Sequence, residues 1–141
     1  MIDLFKYEKR NEYAHMAPND VAIWERFIEK YPTAYSDCQY DFRIGDAPPF
    51  NTLMDDGQDW EQDKLYRLRI DAIGHATDRI DVIEIKPNAG TSTIGQLKGY
   101  RALLLRDEVP NKKIGMIIIT DMLRPNMEYL CKQEGVQIII V

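Results

Sequence analysis

The stretch RIDVIEIKPNAGTSTIGQLKGY, from Arg79 to Tyr100, decides how the chain is read. Its first half has the composition of a core strand, with Ile80, Val82, Ile83 and Ile85 close together, yet it carries Glu84 and Lys86 two residues apart. Pro87 biases Lys86 towards an extended backbone and ends the strand. The segment TSTIGQLKGYRALLLRDE then reads as a helix: Ile94, Leu97, Arg101 and Leu104 fall near one face, and Thr91 or Ser92 stands where a capping side chain is expected.

Working outward, KLYRLRIDAIG (Lys64–Gly74) is a preceding strand separated from the first by HATD, so a hairpin is the natural connection. AYSDCQYDFRI alternates, with Ala34, Cys38, Tyr40, Phe42 and Ile44 on one side and Asp37, Gln39, Asp41 and Arg43 mostly on the other. PNDVAIWERFIEKYP places Val21, Trp24, Ile28 and Tyr31 at helical spacing, with Asn19 or Asp20 as cap and Pro32 as stop. Downstream, KKIGMIIIT is a continuous apolar run typical of a strand covered on both faces, RPNMEYLCKQEG a short helix ending at Gly135, and VQIIIV a last strand. The expected order is helix, three strands, helix, strand, helix, strand. Between Gly45 and Asp63 the chain is rich in Pro, Gly and Asp with no sustained period, which predicts a long acidic loop in which Trp60 packs.

The 141 residues suit a single domain, residues 1–141, able to bury about two thirds of its unfolded surface. No apolar run approaches the ~18 residues that span a bilayer, and MIDLFKYEKRNEY lacks the apolar core of a signal peptide, so the expected location is cytoplasmic, with no membrane partner. Cys38 and Cys131 are far apart and lack metal-ligand spacing, which predicts reduced core residues; His15 and His75 are similarly isolated. The net charge of −5 argues against a constitutive high-affinity nucleic-acid binder. The charge is uneven, however: Lys86, Lys98, Arg101, Arg106, Lys112 and Lys113 face only Asp107 and Glu108 in their span, which predicts a local basic surface.

If the hairpin turns at Thr77 and Asp78, opposed residues have numbers summing to 155, and Asp71 stands across from Glu84. Opposed residues of an antiparallel pair share a face with Cβ atoms about 5 Å apart, where like charges are destabilising. Two carboxylates so placed suit a hard divalent cation, and Lys86 projects to the same face because side chains alternate along a strand. A lysine there can hold an attacking water or stabilise developing phosphate charge. Taken alone, Glu-x-Lys better fits a charged face that protects a sheet edge, with Asp71 paired to Arg69 or Arg67.

In order and spacing these residues resemble the PD-(D/E)XK nuclease superfamily, whose signature is an acid on one strand followed by (D/E)-x-K on the next. Here RID supplies Asp71, EIK supplies Glu84 and Lys86, and QLKGY matches the Q-x-x-x-Y motif of the RecB-like branch through Gln96 and Tyr100. The resemblance runs from about Asn19 to Val141 and departs from the pattern at Ile70, where the family signature has proline. It implies an α/β fold with a restriction-endonuclease-like core: a central mixed sheet flanked by helices, αβββαβ with an extra terminal helix and strand. It further implies a Mg²⁺- or Mn²⁺-dependent nuclease acting on DNA. Asp71 and Glu84 would bind the metal, Lys86 would position the water, and Gln96 would orient the site or contact the nucleic-acid backbone beside Tyr100. Many members add an acid from the first helix, for which Glu25 or Glu29 is available. Small free-standing members look like those of phages and mobile elements, which implies DNA processing in the host cytoplasm, with help from a protein partner or homo-oligomer. The alternative the resemblance leaves open is a non-enzymatic structural or interaction protein, such as a virion or head-completion component.

Overall fold

The structure is a computed structural model, and it describes residues 3–46 and 67–141. One six-stranded sheet runs in sequence order: β1 (Phe5–Lys6), β2 (Asp37–Ile44), β3 (Leu68–His75), β4 (Arg79–Ile85), β5 (Lys113–Thr120) and β6 (Val136–Ile140). The first four strands pair antiparallel, whereas β4, β5 and β6 are parallel. Three helices accompany them: α1 (Pro18–Lys30), α2 (Thr91–Glu108) and α3 (Met127–Gln133). The element order expected from the sequence is therefore present, with β1 as an addition. Most of the acidic loop, including Trp60, lies outside the described residues. No described helix is long and apolar enough to cross a membrane.

Two apolar layers hold the sheet. Both parallel crossovers step the same way across it, so their common handedness puts α2 and α3 on one face. There Ile94, Leu97, Tyr100 and Leu104 of α2 and Met127 and Cys131 of α3 pack on Val82, Ile114, Ile118 and Val136. On the other face α1 packs Ile23, Trp24, Phe27 and Ile28 against Tyr40, Ile83, Ile117 and Ile119. The α1 stripe is rotated from the expected one: Trp24 and Ile28 are core, but Ile23 and Phe27 accompany them, and Tyr31 is partly exposed. Cys38 and Cys131 are buried free thiols, as expected, and burial pushes the Cys38 thiol up to about 12.

Both expected helix caps are corrected. Helix α1 starts at Pro18 with Ala17 as its cap, because proline is preorganised for the first helical position. Neither Asn19 nor Asp20 is the N-cap residue, although the Asp20 carboxylate, at the third helical position, accepts a hydrogen bond from the Ala17 backbone. In α2 the cap is Gly90, and neither Thr91 nor Ser92 donates or accepts a capping bond.

β2 departs more informatively. Its even-numbered residues are all buried, but Cys38 and Tyr40 pack on the α1 face while Phe42 and Ile44 pack on the α2 face. They do not share one side, because Asp41 between them is left-handed, with φ of 53°. A left-handed residue rotates the chain out of simple alternation.

A second buried acid, Asp81 in β4, is fully enclosed on the α1 side. Tyr35 donates to its Oδ2 at 2.7 Å and Arg79 Nε donates at 3.1 and 3.2 Å, so the charge is paired and hydrogen-bonded. Its neighbours in register are Gly74 on β3 and Gly115 on β5. A Cβ at Gly115 would overlap the Asp81 carboxylate, and one at Gly74 would lie 2.6 Å from the Tyr35 ring. Accordingly, Gly115→Ala should destabilise the fold by about 1–3 kcal/mol through overpacking, and Tyr35→Phe should cost about 1 kcal/mol by removing the shorter of the two hydrogen bonds that Asp81 Oδ2 accepts. Urea unfolding followed by circular dichroism measures both; an unchanged midpoint for either would contradict this account.

Candidate active site

The site begins at the β3–β4 hairpin. Ala76 N–H donates to the Arg79 carbonyl at 3.0 Å, closing a turn whose two tip residues are Thr77 and Asp78. The paired residues, from His75 opposite Ile80 to Ala72 opposite Ile83, all have numbers summing to 155. Continued by one residue, that register sets Asp71 across from Glu84. The ladder itself stops at Ala72–Ile83, and the Ile85 N–H that would have bonded β3 instead donates to Asp71 Oδ2 at 3.0 Å. The aspartate thus satisfies a backbone donor freed where the strands part, and that bond orients its carboxyl group.

Glu84 is 6% exposed and sits on the α2 face. Its carboxyl is pushed up to about 9, first by burial, then by its hydrogen bond to Asp71 and the charge of Asp71, while Lys86 and Arg69 pull it down. At neutral pH Glu84 therefore keeps its proton and shares it with the aspartate. Tyr100 of α2 is buried against this pair: burial, and then the charges of Glu84 and Asp71, raise its hydroxyl. Lys86 is exposed, its backbone N–H held by the Ile119 carbonyl at 3.0 Å.

The expected residues do not all converge. Asp71, Glu84 and Tyr100 come together with Lys86 at their edge. Gln96 is exposed one turn before Tyr100 and is hydrogen-bonded to neither acid. Glu25 accepts from the Tyr13 hydroxyl at 3.3 Å, and Glu29 pairs with Lys9, so both serve the N-terminal segment. The helix acid near the pair is Asp20, whose carboxyl is raised by burial and then by the charge of Asp71. Lys86 and Arg69 act on it in the opposite sense. The signal for Asp20 was in the sequence: Pro18 at the first helical position puts it in the first turn of α1, at the end that faces Asp71. Reading it as a cap obscured this.

The donors here are all carboxylate oxygens, which suits a hard divalent cation, and the buried pair holds a proton where a cation could balance its charge. Among the described residues no group of three or more His, Cys, Asp or Glu lies close enough to hold a metal ion. Two carboxylates would leave most coordination positions to water or to a phosphate, the manner in which Mg²⁺ is usually held.

The expected basic surface is dispersed. Lys98 pairs with Glu134, Arg101 donates to the Ile114 carbonyl, Arg106 pairs with Asp46 and Asp107, and Lys112 donates to the Ala76 carbonyl. Lys113 opens β5, at the end of the sheet away from Lys86. No protein-family model matches the chain, and no curated protein or solved structure matches it either.

Glu84 gives the fold a signed pH dependence. The folded state holds its proton up to about pH 9, whereas the unfolded chain releases it near 4.5. Between those values the native state binds more protons, so this group's contribution to stability is full below the lower value and is lost as pH rises through the upper one. Glu84→Gln, which cannot ionise, should raise the melting temperature at about pH 8 and lose that advantage towards about pH 5. Thermal scans across the range decide it; a gain that does not vary with pH would refute the assignment.

Proposed function

We propose that this protein is a metal-dependent nuclease that hydrolyses DNA phosphodiester bonds. The observation that carries the reading is the buried Asp71–Glu84 carboxyl pair at the point where β3 and β4 part, with Lys86 two residues beyond Glu84. Its support is the likeness of this acid, Glu-x-Lys and Gln-x-x-x-Tyr pattern to the PD-(D/E)XK nucleases. Asp71 and Glu84 would hold Mg²⁺ or Mn²⁺, once Glu84 gives up its proton. The ion supplies Lewis-acid polarisation of the phosphoryl oxygens and acidifies the attacking water.

The chain's own residues divide the remaining work. The Ile85 N–H keeps the Asp71 carboxyl fixed. Lys86, exposed just past the end of β4 and two residues from Glu84, orients the water and offsets negative charge developing on the phosphate. Tyr100 walls the acid pair from the α2 side and keeps Glu84 out of solvent. Water adds to phosphorus as the bond to the leaving sugar oxygen breaks, giving a phosphomonoester and a free hydroxyl. Processing of phage or mobile-element DNA would be the biological setting.

The acidic total and the dispersal of the cations favour a second reading, a non-enzymatic virion or interaction component built on the same fold. One experiment separates the two. The purified protein should nick or degrade DNA with Mg²⁺ or Mn²⁺, stop on addition of EDTA, and lose at least about a hundredfold in rate on Lys86→Ala with an unchanged circular-dichroism spectrum. Cleavage that survives either treatment would sink the nuclease mechanism, and a complete absence of cleavage would favour the interaction protein.

A further inference from the structure

Asp41 is the most strained acid of the sheet. It is left-handed inside a strand, and its Oδ1 is buried with no hydrogen-bond donor among the described residues. Its flanking pairs, Tyr40 with Ala72 and Phe42 with Ile70, put it in register with Asp71. With ordinary strand geometry, Asp41, Asp71 and Glu84 would form a row of three acids across three adjacent strands, a repulsive arrangement. The left-handed backbone turns Asp41 out of that row. Its carboxylate instead meets two guanidinium groups, Arg43 Nη2 at 3.4 Å and Arg69 Nε at 3.5 Å, with His15 Nε2 at 3.6 Å.

Arg43 and Arg69 are themselves directly opposed across β2 and β3, a like-charge pair that Asp41 neutralises only in part. Of the two, Arg43 is 15% exposed and Arg69 is 39% exposed. Arg69 stands two residues before Asp71, and its positive charge acts on Glu84 of the acid pair and on Asp20 and Tyr100 near it. A part-exposed guanidinium two residues from Asp71, and paired among the described residues at Nε alone, would be drawn onto that carboxylate unless something held it off. Asp41 does so.

We propose that Arg69, anchored by Asp41, is a phosphate-binding residue of the Asp71–Glu84 site, which it helps to load with a nucleic-acid backbone. This rests on the nuclease reading and adds to it the group that grips the substrate. Arginine suits the role because its planar fork matches two phosphate oxygens at once and stays charged at any working pH. Asp41 is then a positioning residue, and its strained backbone is the cost of aiming Arg69.

Binding tests this without turnover. A short fluorescein-labelled DNA duplex is titrated, by anisotropy at several KCl concentrations, into protein carrying Lys86→Ala so that the duplex stays whole. Adding Arg69→Ala should weaken binding about tenfold and lower the salt slope by about one. Arg69→Lys should keep the slope while recovering only part of the affinity, because the charge remains and the fork is lost. Asp41→Asn should weaken binding with the slope unchanged. In the protein with Lys86 restored, Arg69→Ala should raise KM more than it lowers kcat. A folded Arg69→Ala protein with the parent's affinity and slope overturns the proposal and leaves the nuclease reading standing. A parent protein that neither binds nor cuts DNA removes both.

Discussion

The turn at Thr77 and Asp78 is the constraint on which the candidate site depends. A two-residue hairpin allows one register between β3 and β4, and a slip by a single residue would turn one strand's side chains to the opposite face. With the register set, Asp71 and Glu84 have to meet. The strands then part beyond Ala72 and Ile83, which frees the Ile85 N–H and gives Asp71 a backbone donor to hold. The two acids solve their repulsion by sharing a proton, since the only ways to keep like carboxyl groups together in a buried place are a proton or a cation.

Strand β4 carries two buried acids, and the contrast between them separates structure from chemistry. Asp81 faces α1, receives a tyrosine hydroxyl and a guanidinium, and is given room by Gly115, while Gly74 makes room for the tyrosine. It is a closed arrangement with nothing left to bind. Glu84 faces α2, has another acid as its hydrogen-bond partner, and stands next to an exposed lysine. Its burial lowers stability at neutral pH, a cost that the paired charge of Asp81 does not carry.

The left-handed residue in β2 connects these local facts to the architecture. By switching faces at Asp41, the strand supplies aromatic packing to α1 through Tyr40 and apolar packing to α2 through Phe42 and Ile44. The same switch keeps a third acid away from Asp71 and Glu84 and brings Arg43 and Arg69 together around it.

Much of this was legible in the sequence. Periodicity gave the helices and the five longer strands nearly in full, because stretches such as KKIGMIIIT and the α2 segment need burial on two faces or on one stripe wherever they sit. The Thr77–Asp78 turn was a supposition that the spacing of the two strands allowed, although Thr-Asp is not a favoured turn pair, and from it followed the sum of 155 and the meeting of Asp71 and Glu84. What only tertiary structure decided depends on how elements from distant parts of the chain are brought together. Glu25 and Glu29 were the helix acids the sequence offered, but the packing of α1 brings its first turn, with Asp20, towards Asp71 and leaves Glu25 and Glu29 to the N-terminal segment. Gln96 and Tyr100 share a helix face, yet only Tyr100 reaches the acids. The face switch at Asp41 left no trace in the alternation of β2, since every even residue is buried on either side of it. Local pattern specifies which residues must be buried, and the packing of helices on both faces of one sheet specifies against what.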